Sequence, residues 1–214
     1  MDLPRLYAIL DVEFTTARGL SCLEVLDTWL AAGVRLIQVR AKALAAGPFL
    51  ELAAEAATRT KAAGALLIVN DRLDVALMSG ADGVHLGQED LPVSDARRIA
   101  GDRFVIGLST HSIEQLNAGL AEPISYVAIG PVFATSTKQG SADPAVGLDV
   151  VRQAAGLAKS AGRPLVAIGG IALETAASVL EAGAGSSAVI SDLLTGDPGR
   201  RARAFGEALV RSGS

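Results

Sequence analysis

The sequence predicts an α/β protein whose eight parallel strands close into a single (β/α)8 TIM barrel, and three observations support this prediction. Eight short apolar segments rich in β-branched residues recur along the 214-residue chain. They are continuously apolar rather than alternating, as expected for strands that are covered on both faces. Most of the gaps between them have a helical pattern rich in Ala, Leu, Glu and Arg. The predicted strands are residues 6–10, 34–39, 66–69, 83–86, 104–108, 126–129, 165–168 and 187–190.

The helices between these strands are indicated by their apolar spacing and by their ends. Residues 49–63, 94–100 and 174–182 have helical spacing after the second, fourth and seventh strands. Gly80 and Gly183 each follow a helical segment and precede a strand, which is typical of a glycine cap. The alternative is a doubly wound open sheet, which usually has about five or six strands. We favour the barrel because the Gly-x-Gly-x-x-Gly fingerprint of the open sheet is absent after the first strand.

The composition of the chain limits the number of domains and the kinds of partner that the protein can bind. Half of the residues are hydrophobic, so residues 1–214 can form one catalytic domain around one core. The net charge of −4 predicts neither nucleic-acid binding nor attraction to an anionic membrane. The apolar runs are shorter than the roughly 20 residues that cross a bilayer, and residues 1–5 lack a leader pattern. Cys22 is the only cysteine, so no intrachain disulfide can form, and we expect a cytoplasmic protein.

Two carboxylates follow neighbouring predicted strands. Asp71 comes directly after Asn70 at the end of the third strand, and Asp90 follows the fourth strand after a short loop. Successive strands of a parallel barrel lie about 4.8 Å apart, so the two side chains should meet at one rim. Two carboxylates, with water and phosphate oxygens, can complete the octahedral shell of Mg²⁺. A structural ion pair, for instance between Asp71 and Arg72, is the alternative.

The second predicted strand ends in three polar residues that are spaced by two. On extended backbone, Gln38, Arg40 and Lys42 project to one face, which would be the mouth of the barrel. Arg40 offers a bidentate fork to a phosphate, and Lys42 offers a compact positive charge. A solvated strand end with surface cations is the alternative. Together with Mg²⁺, these cations would suit a diphosphate.

Two further segments predict a second phosphate site. Gly169-Gly170 and Ile190-Ser191 end the seventh and eighth strands, where TIM barrels often bind a phosphate with backbone N–H groups. A simple tight turn would also explain the two glycines. The loop after the sixth strand carries hydroxyl groups and one lysine, which could close over a substrate or form a plain polar loop. These loop residues are Thr135, Ser136, Thr137 and Lys138.

The histidines and the cysteine give weaker indications. His85 lies inside the fourth strand and is expected to be packed and hydrogen-bonded, whereas His111 follows the fifth strand and could face the mouth. Cys22 is expected to be a packed residue rather than a nucleophile. Neither histidine has a partner at zinc-ligand spacing, and the sequence indicates no Cys–His or Ser–His pair. Two phosphate sites in one mouth therefore favour a transferase over an isomerase.

At these positions the chain resembles the thiamine phosphate synthase (thiamine-phosphate pyrophosphorylase) family. The matching segments run in order over nearly the whole length and are specific together, although each is weak alone. They are residues 38–42, 70–72, 81–92, 107–111, 129–138, 147–149, 167–171 and 189–191.

The resemblance implies a TIM barrel that joins 4-amino-5-hydroxymethyl-2-methylpyrimidine diphosphate to a thiazole phosphate, releasing diphosphate. It implies Mg²⁺ at Asp71 and Asp90, and catalytic roles for Arg40, Lys42, Ser109 and Lys138. The implied pyrimidine diphosphate site comprises Gln38, Val39, Arg40, Ala41, Lys42, Asn70, Ser109 and Lys138. The implied thiazole phosphate site comprises Thr135, Ser136, Thr137, Gly170, Ile190 and Ser191.

Two alternatives remain within the same fold. A related thiazole tautomerase carries a catalytic histidine where this chain has Pro131, so the resemblance favours the synthase. A catalytically inactive ligand-binding barrel of the thiamine pathway would be expected to lack Asp71, Asp90 or Lys138, which are all present. The sequence predicts small-molecule substrates, and it makes no prediction of oligomeric state.

Overall fold

The computed structural model describes residues 2–135 and 144–211, and its eight parallel strands form a closed barrel in sequence order. The strands are β1 (Leu6–Asp11), β2 (Leu36–Arg40), β3 (Leu66–Asn70), β4 (Gly83–Leu86), β5 (Val105–Thr110), β6 (Tyr126–Ile129), β7 (Leu165–Ile168) and β8 (Ser186–Val189). Closure is made by β1 and β8, which pair in parallel with Leu6 opposite Ser187. The prediction of a (β/α)8 barrel is confirmed, and the predicted strand ends differ from the observed ones by at most two residues.

Helices cover the outside of the barrel. The described residues form α1 (Val12–Thr16), α2 (Cys22–Ala31), α3 (Ala46–Ala62), α4 (Leu73–Ser79), α5 (Val93–Ala100), α6 (Ile113–Leu120), α7 (Gly147–Ser160), α8 (Leu173–Glu181) and α9 (Pro198–Arg211). A 3₁₀ helix at Ser191–Leu194 follows β8. None of the helices in these ranges is long and apolar enough to cross a membrane.

Two helices depart from the predicted pattern. The third helix begins at Ala46 rather than at residue 49, because Pro48 falls in its first turn, where backbone N–H groups have no intrahelical partner. The short α1 was not predicted. It follows β1 without a loop, and the side chain of Asp11 caps it by accepting a hydrogen bond from the N–H group of Phe14 at 2.9 Å.

The core has two parts, and this division explains the continuously apolar strands. Alternate strand residues, such as Leu10, Val39 and Val84, pack between the barrel and the helices. The intervening residues, such as Ile9 and Ile68, fill the interior of the barrel. Since every strand is covered on both sides, each run contains few exposed positions. Trp29 of α2 is completely buried in the outer part.

The interior becomes polar toward the carboxyl ends of the strands. The buried polar residues there include Gln38, Asn70, His85 and Ser109. In a (β/α)8 barrel this end carries the active site, because the loops that follow the strands surround it. The predicted site residues therefore fall at the end of the barrel where chemistry is expected.

Candidate functional site

A cavity opens at the carboxyl ends of β5 to β8. Its volume is about 590 Å³, including space open to solvent. Its walls include His111, Pro131, Thr135, Gly170 and Ser191. Among the charged residues predicted for the diphosphate and its metal, Arg40 ends β2, Lys42 and Asp71 follow β2 and β3, and Asp90 lies in the loop after β4. The mouth thus has an apolar cavity on one side and a charged rim on the other.

Asp71 and Asp90 form an acid pair on the charged rim. Their carboxyl groups are close enough to interact, and Asp90 accepts a hydrogen bond from the N–H group of Gly87 at 2.7 Å. Burial raises the pKa of Asp71 above its ordinary value, and the neighbouring Asp90 raises it further, whereas Lys42 opposes the shift. The unfavourable proximity of two carboxylates is the condition that a bound divalent cation relieves.

The backbone of Asp71 directs its side chain toward this position. Asp71 has a φ of 62°, in the left-handed region that aspartate and asparagine tolerate better than most residues. Its N–H group donates to the carbonyl oxygen of His85 at 2.8 Å, which extends the pairing of β3 and β4 by one residue. The ion pair of Asp71 is with Lys42, not with Arg72, which instead bonds Asp74. The alternative pairing of Asp71 with Arg72 was therefore wrong.

The residues of β2 and the loop after it alternate between the mouth and the outer core. Gln38, Arg40 and Lys42 contact Tyr7, Asp11 and Asp71, respectively. Val39 and Ala41 belong to the outer core between strands and helices. Only backbone atoms of Val39 and Ala41 are thus available to a ligand in the mouth.

Sequence reasoning missed Asp11. Its carboxylate forms an ion pair with Arg40 while it caps α1, and both side chains are largely buried. In the strand register, Asp11 of β1 lies directly opposite Arg40 of β2. A charged residue at the end of an apolar strand was the signal in the sequence. Asp11 therefore holds the Arg40 guanidinium at the rim and leaves its other N–H groups for an anion.

Ser109 and His85 also form a contact that the sequence did not indicate. His85 Nε2 lies 2.7 Å from Ser109 Oγ, so the expectation that the chain has no Ser–His pair was wrong. The pair arises because β4 and β5 are adjacent, with Gly107 opposite His85. His85 is buried and hydrogen-bonded, as predicted. Gln88, after β4, donates to the backbone oxygen of Ser109 at 2.6 Å and fixes this strand end.

The two glycines after β7 are required by close packing. Gly169 and Gly170 both have positive φ, of 99° and 65°. A Cβ atom on Gly170 would lie 2.6 Å from the carbonyl oxygen of Ala134 and 2.7 Å from that of Phe133. The loop after β6 is thereby held against the end of β7. Ile190 and Ser191, beside it, lead into the 3₁₀ helix, so a helix start faces the same cavity.

The remaining predicted residues lie in three places: at this cavity, outside the described residues, and beside the acid pair. Thr135 lines the cavity and is exposed. Ser136, Thr137 and Lys138 lie outside the described residues. Asn70 ends β3 next to the acid pair, where it is buried.

The fold and the site together define a class of protein. A closed (β/α)8 barrel whose strand ends carry an acid pair, basic side chains and a glycine-lined cavity is a TIM-barrel enzyme with a site for anionic small molecules.

Comparison with known proteins identifies the family. A profile described as thiamine monophosphate synthase matches residues 6–193. A thiamine-phosphate synthase from Acidothermus cellulolyticus is 47% identical over 187 residues, or 86% of each chain. One from Gloeobacter violaceus is 44% identical over 88% of this chain, which spans about half (54%) of that protein. The structure of a Pyrococcus furiosus thiamine phosphate pyrophosphorylase matches with a TM-score of 0.87 and 30% identity, covering 98% of this chain and 97% of that one. The chain belongs to the thiamine monophosphate synthase family.

Family membership confirms the resemblance seen in the sequence. The protein is an enzyme, a transferase of thiamine biosynthesis that acts on small molecules. Pro131 lines the cavity, so the position where the resemblance places a tautomerase histidine faces the ligand space. Proline has no proton to transfer, and the cavity wall there favours the transferase over the isomerase.

The Asp11–Arg40 pair gives a prediction for stability. Asp11→Asn should lower the free energy of unfolding by about 3 kcal/mol, because it leaves a largely buried guanidinium without its charge partner. Urea denaturation measures the loss. The control is Asp149→Asn, which breaks the exposed ion pair with Arg152 and should cost less than about 0.5 kcal/mol. Equal losses in the two variants would contradict the role of Asp11.

The acid pair gives a prediction for pH dependence in metal-free protein. Because the pKa of Asp71 is raised above its ordinary 3.8, the folded state binds this proton more tightly than the unfolded state. The resulting stabilisation is present below pH 3.8 and is lost as pH rises through the folded pKa. At pH 7, Asp71→Asn should therefore increase the free energy of unfolding in EDTA, and asparagine also tolerates the positive φ.

A matched variant, Asp74→Asn, is expected to change the free energy of unfolding in the opposite direction. Arg72 lowers the pKa of Asp74, so ionised Asp74 contributes stability above its ordinary pKa. Asp74→Asn should slightly decrease the free energy of unfolding at pH 7, and the decrease should disappear in acid. If Asp71→Asn instead destabilised the metal-free protein at pH 7, the repulsion assigned to the acid pair would be disproved.

Proposed function

We propose that the protein transfers the hydroxymethylpyrimidine group from its diphosphate to the nitrogen of thiazole phosphate, giving thiamine phosphate and diphosphate. The observation that carries the proposal is the acid pair, Asp71 and Asp90, placed beside Lys42 at the barrel mouth. Family membership supports the same reaction. We infer a single catalytic domain over residues 1–214 that works in the cytoplasm without nucleic-acid or membrane partners.

The acid pair fits Mg²⁺ by its chemistry. The two carboxyl groups are neighbours, and burial disfavours the charge of Asp71, so a cation between them would be stabilising. The described residues contain no group of three or more His, Cys, Asp or Glu side chains that could hold a metal by themselves. A site with few protein oxygen ligands leaves coordination positions for water and phosphate oxygens, which suits Mg²⁺. When bound there, Mg²⁺ would neutralise charge on the substrate diphosphate.

The basic residues around the acid pair would carry the leaving group. Arg40, held by Asp11, and Lys42, held by Asp71, are positioned to stabilise the charge that grows on the diphosphate as the C–O bond breaks. By the family resemblance, Lys138 would add a third positive charge. The amino group of the pyrimidine supplies electrons during this step, and a methylene cation results. The thiazole nitrogen then captures the cation, so no protein nucleophile is consumed.

The two substrates would occupy the two sides of the mouth. The pyrimidine diphosphate would lie on the charged rim with Gln38, Asn70 and Ser109, and backbone atoms of Val39 and Ala41 would complete that side. The cavity lined by Gly170 and Ser191 would receive the thiazole phosphate, where backbone N–H groups at the start of the 3₁₀ helix can bind a phosphate. The thiazole phosphate site we propose comprises Thr135, Ser136, Thr137, Gly170, Ile190 and Ser191.

A direct assay tests the function. The protein with both substrates and Mg²⁺ should yield thiamine phosphate and an equal amount of diphosphate, separated by chromatography. Arg40→Ala should lower kcat by about 10²–10³, because it removes a charge that acts on the leaving group. Arg152→Ala is the control, since Arg152 is an exposed residue of α7 outside the site, and it should keep the wild-type rate. Absence of product with the thiazole phosphate and with its carboxylated form would refute the proposal.

Metal binding has a test that does not depend on activity. Adding Mg²⁺ to metal-free protein should raise Tm, because a ligand that binds only the folded state stabilises it. Asp90→Ala should abolish most of this rise. Asp95→Ala, which breaks an exposed pair with Arg98, should retain it. If Mg²⁺ stabilised Asp90→Ala and wild type equally, Asp90 would not be a metal ligand.

A further inference from the structure

A continuous series of side-chain hydrogen bonds crosses the interior of the barrel beneath the mouth. Gln38 Nε2 donates to the Tyr7 hydroxyl at 2.8 Å, and the Tyr7 and Tyr126 hydroxyls are 2.9 Å apart. The Tyr126 hydroxyl lies 2.9 Å from His85 Nδ1, and His85 Nε2 lies 2.7 Å from Ser109 Oγ. We name these residues the barrel relay. Its two ends, Gln38 and Ser109, are both residues of the proposed pyrimidine diphosphate site.

Packing holds the barrel relay in place. All of its members are buried, and they come from β1, β2, β4, β5 and β6. The Tyr126 ring stacks on the His85 ring at 5.5 Å and meets the Tyr7 ring edge-on at 6.1 Å. Gly107 makes room for this arrangement, since a Cβ atom there would lie 2.1 Å from Tyr126 Cζ. Burial raises the pKa of both tyrosines, so their hydroxyls keep their protons at neutral pH.

The orientation of the Gln38 amide, together with a count of the available hydrogens, gives the direction of the hydrogen bonds. With the Gln38 amide oriented as in the structure, the Tyr7 hydroxyl accepts from Nε2, and its own hydrogen then has an acceptor among the described residues only at Tyr126. Tyr126 accepts from Tyr7, so its only hydroxyl hydrogen is donated to His85 Nδ1. With Nδ1 as an acceptor, neutral His85 carries its hydrogen on Nε2 and donates it to Ser109 Oγ. The hydrogen of the Ser109 hydroxyl is then directed to an acceptor other than His85.

This polarity determines what the Ser–His pair can do. A histidine that activates a serine must present a lone pair to the serine hydroxyl, as in hydrolases. In the barrel relay, His85 presents an N–H group to Ser109 instead. In this tautomer His85 has no lone pair to take the Ser109 proton, and the Ser109 hydroxyl can donate its hydrogen to a ligand.

We propose that the barrel relay sets the hydrogen-bond polarity of the pyrimidine site, so that Ser109 donates to a ring nitrogen while Gln38 Oε1 accepts from an amino group. Tyr7, Tyr126 and His85 act as positioning residues through Gln38 and Ser109. The inference rests on the proposed function and specifies which substrate the relay serves: a heteroaromatic ring with an acceptor nitrogen beside an amino donor. Gln38 Oε1 makes no hydrogen bond within residues 2–135 and 144–211, which leaves it available.

The histidine tautomers test this polarity in the free protein. The chain has two histidines, and His111 Nδ1 lies 2.7 Å from the carbonyl oxygen of Gly130, which only accepts hydrogen bonds. Nitrogen NMR at about pH 8, where imidazole is ordinarily neutral, should show His111 with its hydrogen on Nδ1 and His85 with its hydrogen on Nε2. His111→Asn assigns the two sets of signals. A His85 hydrogen on Nδ1 would reverse the relay and overturn the inference.

Interrupting the relay tests its effect on the substrate. Tyr126→Phe removes the central hydroxyl and keeps the ring. It should raise the KM for the pyrimidine diphosphate by about tenfold, the effect of losing one hydrogen bond at the site, and leave the KM for the thiazole phosphate within about twofold. It should also remove the preference of His85 for the Nε2 hydrogen. If Tyr126→Phe does not fold, Tyr7→Phe interrupts the same relay one step earlier and should change the same KM.

The control separates a positioning role from a structural one. Ser186→Ala also removes a buried hydroxyl, which donates to the carbonyl oxygen of Pro4 at 2.8 Å at the opposite end of the barrel. This variant should lose stability and keep both KM values. If Tyr126→Phe changed only stability, or changed both KM values equally, the relay would be merely structural and the inference would be wrong. If wild type made no thiamine phosphate, the proposed function would fail, while the tautomer measurement would still decide the polarity.

Discussion

The acid pair at the barrel rim is the interaction on which the rest of the site depends. Asp71 and Asp90 are brought together because β3 and β4 are neighbours in a closed parallel sheet, and their charges repel in a partly buried position. Lys42 offsets part of this repulsion from the loop after β2. A divalent cation would relieve the repulsion between these negative charges, and it would also attract an anionic substrate.

A second ion pair, between Asp11 and Arg40, extends this charged rim. Asp11 neutralises Arg40 while it caps α1, so one carboxylate satisfies a helix start and orients a cation. Arg40 and Lys42 are therefore each paired with an acid, Arg40 in a largely buried position and Lys42 in a partly exposed one. Such preorganisation means that little rearrangement is needed when a diphosphate binds. The opposite side of the mouth relies on backbone geometry, with glycines packed so closely that a side chain would collide.

Much of this could be predicted from the sequence, because the relevant signals are local. The continuous apolar runs predicted the strands, and the polar residues that follow them within a few positions included Asp71, Asp90 and Arg40. The start of α3 was missed because Gly47 and Pro48 are read as helix breakers, although a first turn accepts both. Val39 and Ala41 were included with their polar neighbours, whereas the pleat turns their side chains into the outer core.

The contacts across the barrel could be identified only from the tertiary structure. Tyr7 and Tyr126 look like ordinary apolar strand residues in the sequence, and His85 lies 24 residues from Ser109. Their hydrogen bonds exist only because eight strands close into a ring and turn alternate side chains toward a common interior. The sequence alone determined which strand ends carry charge, since that depends on order along the chain. Closure decided which of those residues meet, and thereby which atom donates and which accepts, because distances across a barrel depend on strand number and register.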